Sequence, residues 1–165
     1  MERFCDEAQR RGINILRDKT TLGEGELISQ FMQKIGESDR VFIFLSDKYF
    51  SSPFCMFELF ELWRNSRHDK VDFLRIVRLF TMDGIRIDKP YQWLEYAEFW
   101  KKQEGDLRRT IENIGWNSVG EEAFRCYRMI SKFSDHVTDI FTLFADTVRP
   151  RSFDEFLEYG FEGSP

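Results

Sequence analysis

A chain of 165 residues, 42% hydrophobic and 32% charged, suits one globular domain with a sizeable core and room for a small appendage. Its net charge of −5 argues against a nucleic-acid function resting on phosphate neutralisation, and no basic run of five or more residues offers an anionic membrane a patch. No apolar run approaches the roughly 18 residues a transmembrane helix needs, and the charged opening MERFCDEAQRRG is no signal peptide. Three cysteines (Cys5, Cys55, Cys126) lie far apart without a CxxC, which argues against a disulfide framework and for a cytoplasmic setting. His68 and His136 cannot make a zinc site by spacing and read as surface or structural residues. Aromatics at 16%, with 18 Phe, predict a Phe-rich core.

Residues 2–11 read as the end of a helix, with Phe4, Cys5 and Ala8 on one side and Gly12 as its stop. Residues 13–17 follow as a short strand, and 18–25 as a loop rich in Thr, Gly and charge. Leu27, Ile28, Phe31, Met32 and Ile35 recur at helical spacing up to Gly36. The continuous apolar run 41–45, between Arg40 and Ser46, predicts a strand buried on both faces, as in a parallel sheet. Ser52 before Pro53 is a helix start, a capping hydroxyl and then a proline at the first helical position, and the helix is expected to reach Asn65. Residues 73–80 form a second candidate buried strand, interrupted by Arg75 and Arg78. Strands alternating with helices imply βαβ units.

The second half changes character. Residues 91–114 read as a helix weakened at Gly105. Phe124, Tyr127, Ile130, Phe133, Val137, Ile140 and Phe144 step by threes and fours, predicting one long helix over about 120–147 that Arg149-Pro150 ends. Phe153, Phe156 and Phe161 predict an amphipathic tail tucked against the body.

Residues 12–59 together resemble a TIR (Toll/interleukin-1 receptor) domain. The resemblance rests on an ordered set: the strand ending Leu16-Arg17-Asp18, the Gly-containing loop from Thr20 to Glu26, and the helix ending Ile35-Gly36-Glu37-Ser38. The buried strand ending Leu45-Ser46 follows, then Tyr49, Ser51, Ser52, an aromatic, Cys55 and Glu58-Leu59. Phe54 stands where the family commonly has Trp. The remainder resembles bacterial TIR proteins with a helical C-terminal extension. The implied fold is α/β, a flavodoxin-like parallel sheet with helices on both faces, plus that extension. Residues 1–90 are the core and 91–165 the rest of the domain and the extension. TIR domains open with a central apolar strand, but this chain begins within the helix that follows it, so the expectation is that the true start lies upstream. A sheet lacking a central strand leaves backbone groups unpaired, at about 1–3 kcal/mol for each buried one. An upstream extension is therefore expected to raise the melting temperature by several degrees, and equal stability in the 165-residue chain would sink that expectation.

Many TIR domains cleave NAD+ at the nicotinamide–ribose bond, as a substrate and with no cofactor or metal, and others are non-catalytic adaptors. The resemblance implies Glu58 as the catalytic carboxylate and a site with Phe54, Asp18 and Ser46 binding substrate. It implies that Leu22, Gly23, Glu24 and Gly25 belong to a partner-binding loop through which TIR domains self-associate. Chain order agrees with this placement, because ligands of open parallel sheets bind outside the carboxyl ends of strands. Each residue also has an ordinary reading. A helical Glu is commonly a solvated face residue, Phe54 can be core, Asp18 can turn a loop, and Glu24 and Glu26 can be solvated charge. Glu61 reads as surface, and Cys55 as a small buried hydrophobe with no nearby His in sequence. Gly23-x-Gly25 is too short for a nucleotide fingerprint. A receiver domain would need a phosphoacceptor that Leu45-Ser46 does not supply. The sequence thus leaves an NAD+-consuming hydrolase of bacterial defence or signalling beside a non-enzymatic TIR interaction module.

Overall fold

The computed structural model describes residues 2–15, 40–82, 85, 87–145 and 152–162. They form two compact units. The first comprises residues 1–43, 76–80 and 149–165, and the second residues 44–75 and 81–148. Asp18, the loop residues Leu22, Gly23, Glu24 and Gly25, and the helix expected at 27–35 lie outside the described residues.

In the first unit, helix α1 (Glu2–Arg10) ends as its sequence predicts. Gly12, at φ +71°, takes the left-handed conformation. Gly12 N–H donates to the Gln9 carbonyl at 3.1 Å and Ile13 N–H to that of Ala8 at 2.9 Å, a Schellman closure. That closure corrects the expected strand at 13–17. The Ile13 amide is spent on the helix end, and residues 13–15 are not extended ladder, while 16–17 lie outside the described residues.

Strand β1 (Val41–Leu45) forms where the apolar run predicts it, parallel to β2 (Val77–Thr81), the two making the sheet of the described residues. Residues alternate between faces along each strand. The face bearing Phe42 and Phe80 carries the aromatic cluster of this unit. The Phe42 ring meets Phe4 of α1 edge-on at 4.8 Å, and Phe80 lies 5.0 Å from Phe156 of the C-terminal helix α8 (Phe153–Phe161). Phe4 also stacks on Phe161 at 5.2 Å. The expected amphipathic tail is thus α8, capped by Ser152, whose Oγ accepts from Glu155 N–H at 3.1 Å. Ile43, Val77 and Leu79, on the opposite face, are buried too.

The expected strand at 73–80 is corrected at its start. Asp69 Oδ1 accepts from Asp72 N–H at 2.9 Å, a cap that begins a helix, and the chain turns into α4 (Lys70–Ile76) before entering β2. Phe73 is buried from a helix rather than from a strand, which is why Arg75 interrupts the apolar pattern.

The second unit is helical. It holds α2 (Asp47–Phe50), α3 (Pro53–Asn65), α4, α5 (Pro90–Ile114), α6 (Glu121–Phe133) and α7 (Val137–Ala145). Helix α3 has the predicted bounds, Ser52 Oγ accepting from Cys55 N–H and Pro53 standing in the first turn. Helix α5 runs through Gly105 unbroken, one uninterrupted element of 25 residues. The single long helix expected at 120–147 is instead α6, a 3-10 turn (Ser134–His136) and α7. Ser-Asp-His is a weak helical segment whose side chains compete for backbone groups. Ile130, Phe133, Val137, Ile140 and Phe144 are nonetheless buried as the stripe requires, whereas Phe124 stays partly exposed. Helix α6 packs on both α3 and α5, and α7 packs on α5. The architecture is α/β, two parallel strands among the described residues and helices that continue to the C-terminal part of the chain.

Two glycines separate packing from propensity. A Cβ on Gly160 of α8 would sit 2.9 Å from the Phe42 ring, and the ring is held by its aromatic neighbours. Gly160→Ala is expected to destabilise by about 1–2 kcal/mol, overpacking outweighing the gain in helix propensity. Gly105→Ala meets nothing within 4 Å and should stabilise by roughly 0.5–1 kcal/mol. Urea titrations of both variants check the opposite signs.

Candidate functional site

The candidate site is built where the chain leaves β1. Leu45 is buried, and Ser46 turns the backbone into α2 as its cap, its Oγ accepting from Tyr49 N–H at 3.1 Å. Four residues later Ser51 closes α2, and Ser52 starts α3 at once. Two serine caps in seven residues reverse the chain, so α2 and α3 pack against each other. Phe54 lies in the first turn of α3 with 36% of its surface exposed, which answers the question of core against surface. Glu58 stands one turn on, on the same helix face, and is half-buried.

The segment before α3 comes back to Glu58 through Tyr49. Burial pushes the Tyr49 hydroxyl well above the ordinary phenol range, and the Glu58 carboxylate and the Cys55 thiol beside it push it further. Ser46, Tyr49, Phe54 and Glu58 therefore belong to one small region at the carboxyl end of β1. Asp18 and the 22–25 loop lie outside the described residues, and nothing is said of their distance from it.

Two contacts of α5 hold the α2 turn. The Tyr96 hydroxyl donates to Asp47 Oδ1, and burial, that bond and the Asp47 charge raise the Tyr96 hydroxyl well above its ordinary value. The indole of Trp100 donates to the Phe50 carbonyl at 2.9 Å, both residues being buried. Neither pairing was visible in the sequence, since each spans about fifty positions. The only hint was two aromatics with polar tips four residues apart on α5.

Glu61 corrects an expectation. It is 8% exposed rather than a surface residue, with Oε2 taking the Arg64 guanidinium and Oε1 buried without a hydrogen-bond partner. Cys55 is half-buried and, like Cys5 and Cys126, is in no disulfide. Both histidines engage rings. His68 stacks on Trp63 at 3.9 Å, and His136 stacks on Phe60 at 5.5 Å. Among the described residues no group of three or more His, Cys, Asp or Glu is placed to hold a metal ion. No helix among them is long and apolar enough to cross a membrane. What remains for chemistry here is one half-exposed carboxylate, an exposed aromatic ring one turn before it and a tyrosine beside it.

Residues 1–111 match the family model described as TIR domain. No curated protein and no solved structure is matched by the chain.

Tyr96 and Tyr49 give the protein an alkaline limit. Both hydroxyls hold their protons more tightly folded than unfolded, so the stability they carry is complete below the unfolded phenol value of about 10 and falls as pH rises above it. Thermal melts from pH 8 upward should show a decline setting in near pH 10. Tyr96→Phe, which cannot ionise, should lower stability at neutral pH and flatten that decline. An unchanged slope in the variant would exclude Tyr96 as a contributor.

Proposed function

The chain belongs to the TIR domain family, and from that premise we propose that it is an NAD+ glycohydrolase whose catalytic carboxylate is Glu58. The observation that supports this reading most is the placement of Glu58. It completes the S-x-F-C-x-x-E-L segment, half-buried, on α3, which follows the carboxyl end of β1 after the short α2. Breaking the nicotinamide–ribose bond leaves positive charge on the ribose, and a carboxylate beside it stabilises that charge. Nicotinamide leaves neutral from a cationic pyridinium, so no strong general acid is needed and one carboxylate suffices. Phe54, exposed one turn before Glu58, offers a ring face for nicotinamide or adenine. Ser46 already accepts from Tyr49 N–H, so its part in substrate binding falls to its remaining donor capacity, and Asp18 stays a proposed contact. TIR domains generally self-associate, and assembly through the loop at 22–25 belongs to this reading. So does a bacterial defence or signalling role in the cytoplasm.

Nicotinamide release by the clustered protein tests it. Glu58→Gln keeps the size and hydrogen bonding of the side chain and removes its negative charge. Turnover should fall by about 10²–10³, in line with losing one electrostatic stabiliser of a transition state. The melting temperature should barely move, because a half-exposed Glu adds little to folding. Equal turnover by both proteins would remove Glu58 from the chemistry. No turnover by either, with intact folding and proven assembly, would favour the non-enzymatic interaction module.

A further inference from the structure

Helix α6 carries an outward cleft of about 250 Å³ whose charges are only partly paired within the unit. Along its rim stand Glu121, Arg125, Arg128 and Lys132, in steps of four, three and four residues. Arg128 lies over the Phe124 ring at 5.8 Å and Lys132 over Phe57 at 5.6 Å, and among the described residues neither pairs with a carboxylate. Arg125 binds Glu122, yet its Nε is buried with no acceptor. Cations left without carboxylates on a chain of net charge −5 are a binding surface in search of an acidic partner.

The complement is on the page. The first half of α5 exposes Tyr91, Glu95, Glu98 and Lys102, and read from its C-terminal side these recur as Lys102, Glu98, Glu95 and Tyr91, again in steps of four, three and four. Glu95 and Glu98 form no salt bridge among the described residues. Two helices laid antiparallel with this spacing bring Glu121 to Lys102, Arg125 to Glu98, Arg128 to Glu95 and Lys132 to the Tyr91 ring. The seam takes in twelve residues of each helix, about 16 Å, with Arg125 shared between Glu98 and its own Glu122 and the Tyr91 ring shared between Lys132 and its own Lys89. Leu94, 60% exposed, and the partly exposed Phe99 flank it on α5 as Phe124 does on α6, giving the apolar area that surface ion pairs alone lack.

We infer that the α6 cleft of one copy receives the first half of α5 from a second copy, antiparallel and in this register. Within one chain α6 meets α5 at Trp100, through Phe133, and further along at Arg108, through Tyr127, while Tyr91, Glu95, Glu98 and Lys102 stay exposed for a neighbour. The seam is shorter than a standard stable interface, so the association is weak and salt-sensitive.

Sedimentation velocity of the purified chain at about 10–300 µM tests it, a range suited to weak association. The wild type should associate with rising concentration and dissociate in high salt. Glu95→Arg with Glu98→Arg, or Arg125→Glu with Arg128→Glu, should each weaken association at least about tenfold, since like charges then face each other. All four substitutions in one chain should restore it. Because Arg125 also binds Glu122, Arg128→Glu with Lys132→Glu is the second, independent break, with circular dichroism melts as the folding check. A wild type monomeric throughout, reversals that associate as the wild type does, or a fourfold variant that stays monomeric would each overturn the register.

Discussion

The candidate site depends on the hydrogen bond from the Trp100 indole to the Phe50 carbonyl. Phe50 ends a helix of four residues, too short to satisfy its own last carbonyls, and it is fully buried, so water cannot serve. An unpaired carbonyl there would cost about 1–3 kcal/mol. The indole removes that cost and fixes where α2 stops, which fixes where Ser52 can cap α3. From that cap the helix runs on without a break to Glu58, so the start of the helix that bears the carboxylate is fixed by the side chain of Trp100. Tyr96, one turn earlier on α5, holds the other end of the same short helix through Asp47.

Local features of this architecture were legible wherever the signal lay within a few residues. The run 41–45, the Ser52-Pro53 start, the Gly12 stop and the Phe-rich tail all appear where the sequence places them, because each is a contest settled by neighbouring groups. Residues 73–80 show the limit. The apolar content was read as strand, but the Asp69 carboxylate caps a helix first, and the two signals overlap in one short span. Ile13 failed for a related reason, its amide being taken by the end of α1.

The site itself was half legible. Family resemblance carried Glu58 and Phe54, since motif spacing on one helix survives translation into structure. Glu61 did not follow from its neighbours. Its residue type says solvent, yet it is buried with only Oε2 paired, to Arg64. The difference between these two carboxylates matters chemically. Glu61 spends its charge on a guanidinium, and half-buried Glu58 lies beside a tyrosine whose proton is held more tightly because of it.

Helix α5 ties these observations together. Its inward side grips the α2 turn through Tyr96 and Trp100, and its outward side over the same turns bears Glu95, Glu98 and Leu94. Glu95 and Tyr96 are adjacent, and the Glu95 carboxylate already contributes to holding the proton on the Tyr96 hydroxyl. One rigid helix thus fixes the α2 turn with one side and leaves the other side exposed over the same residues.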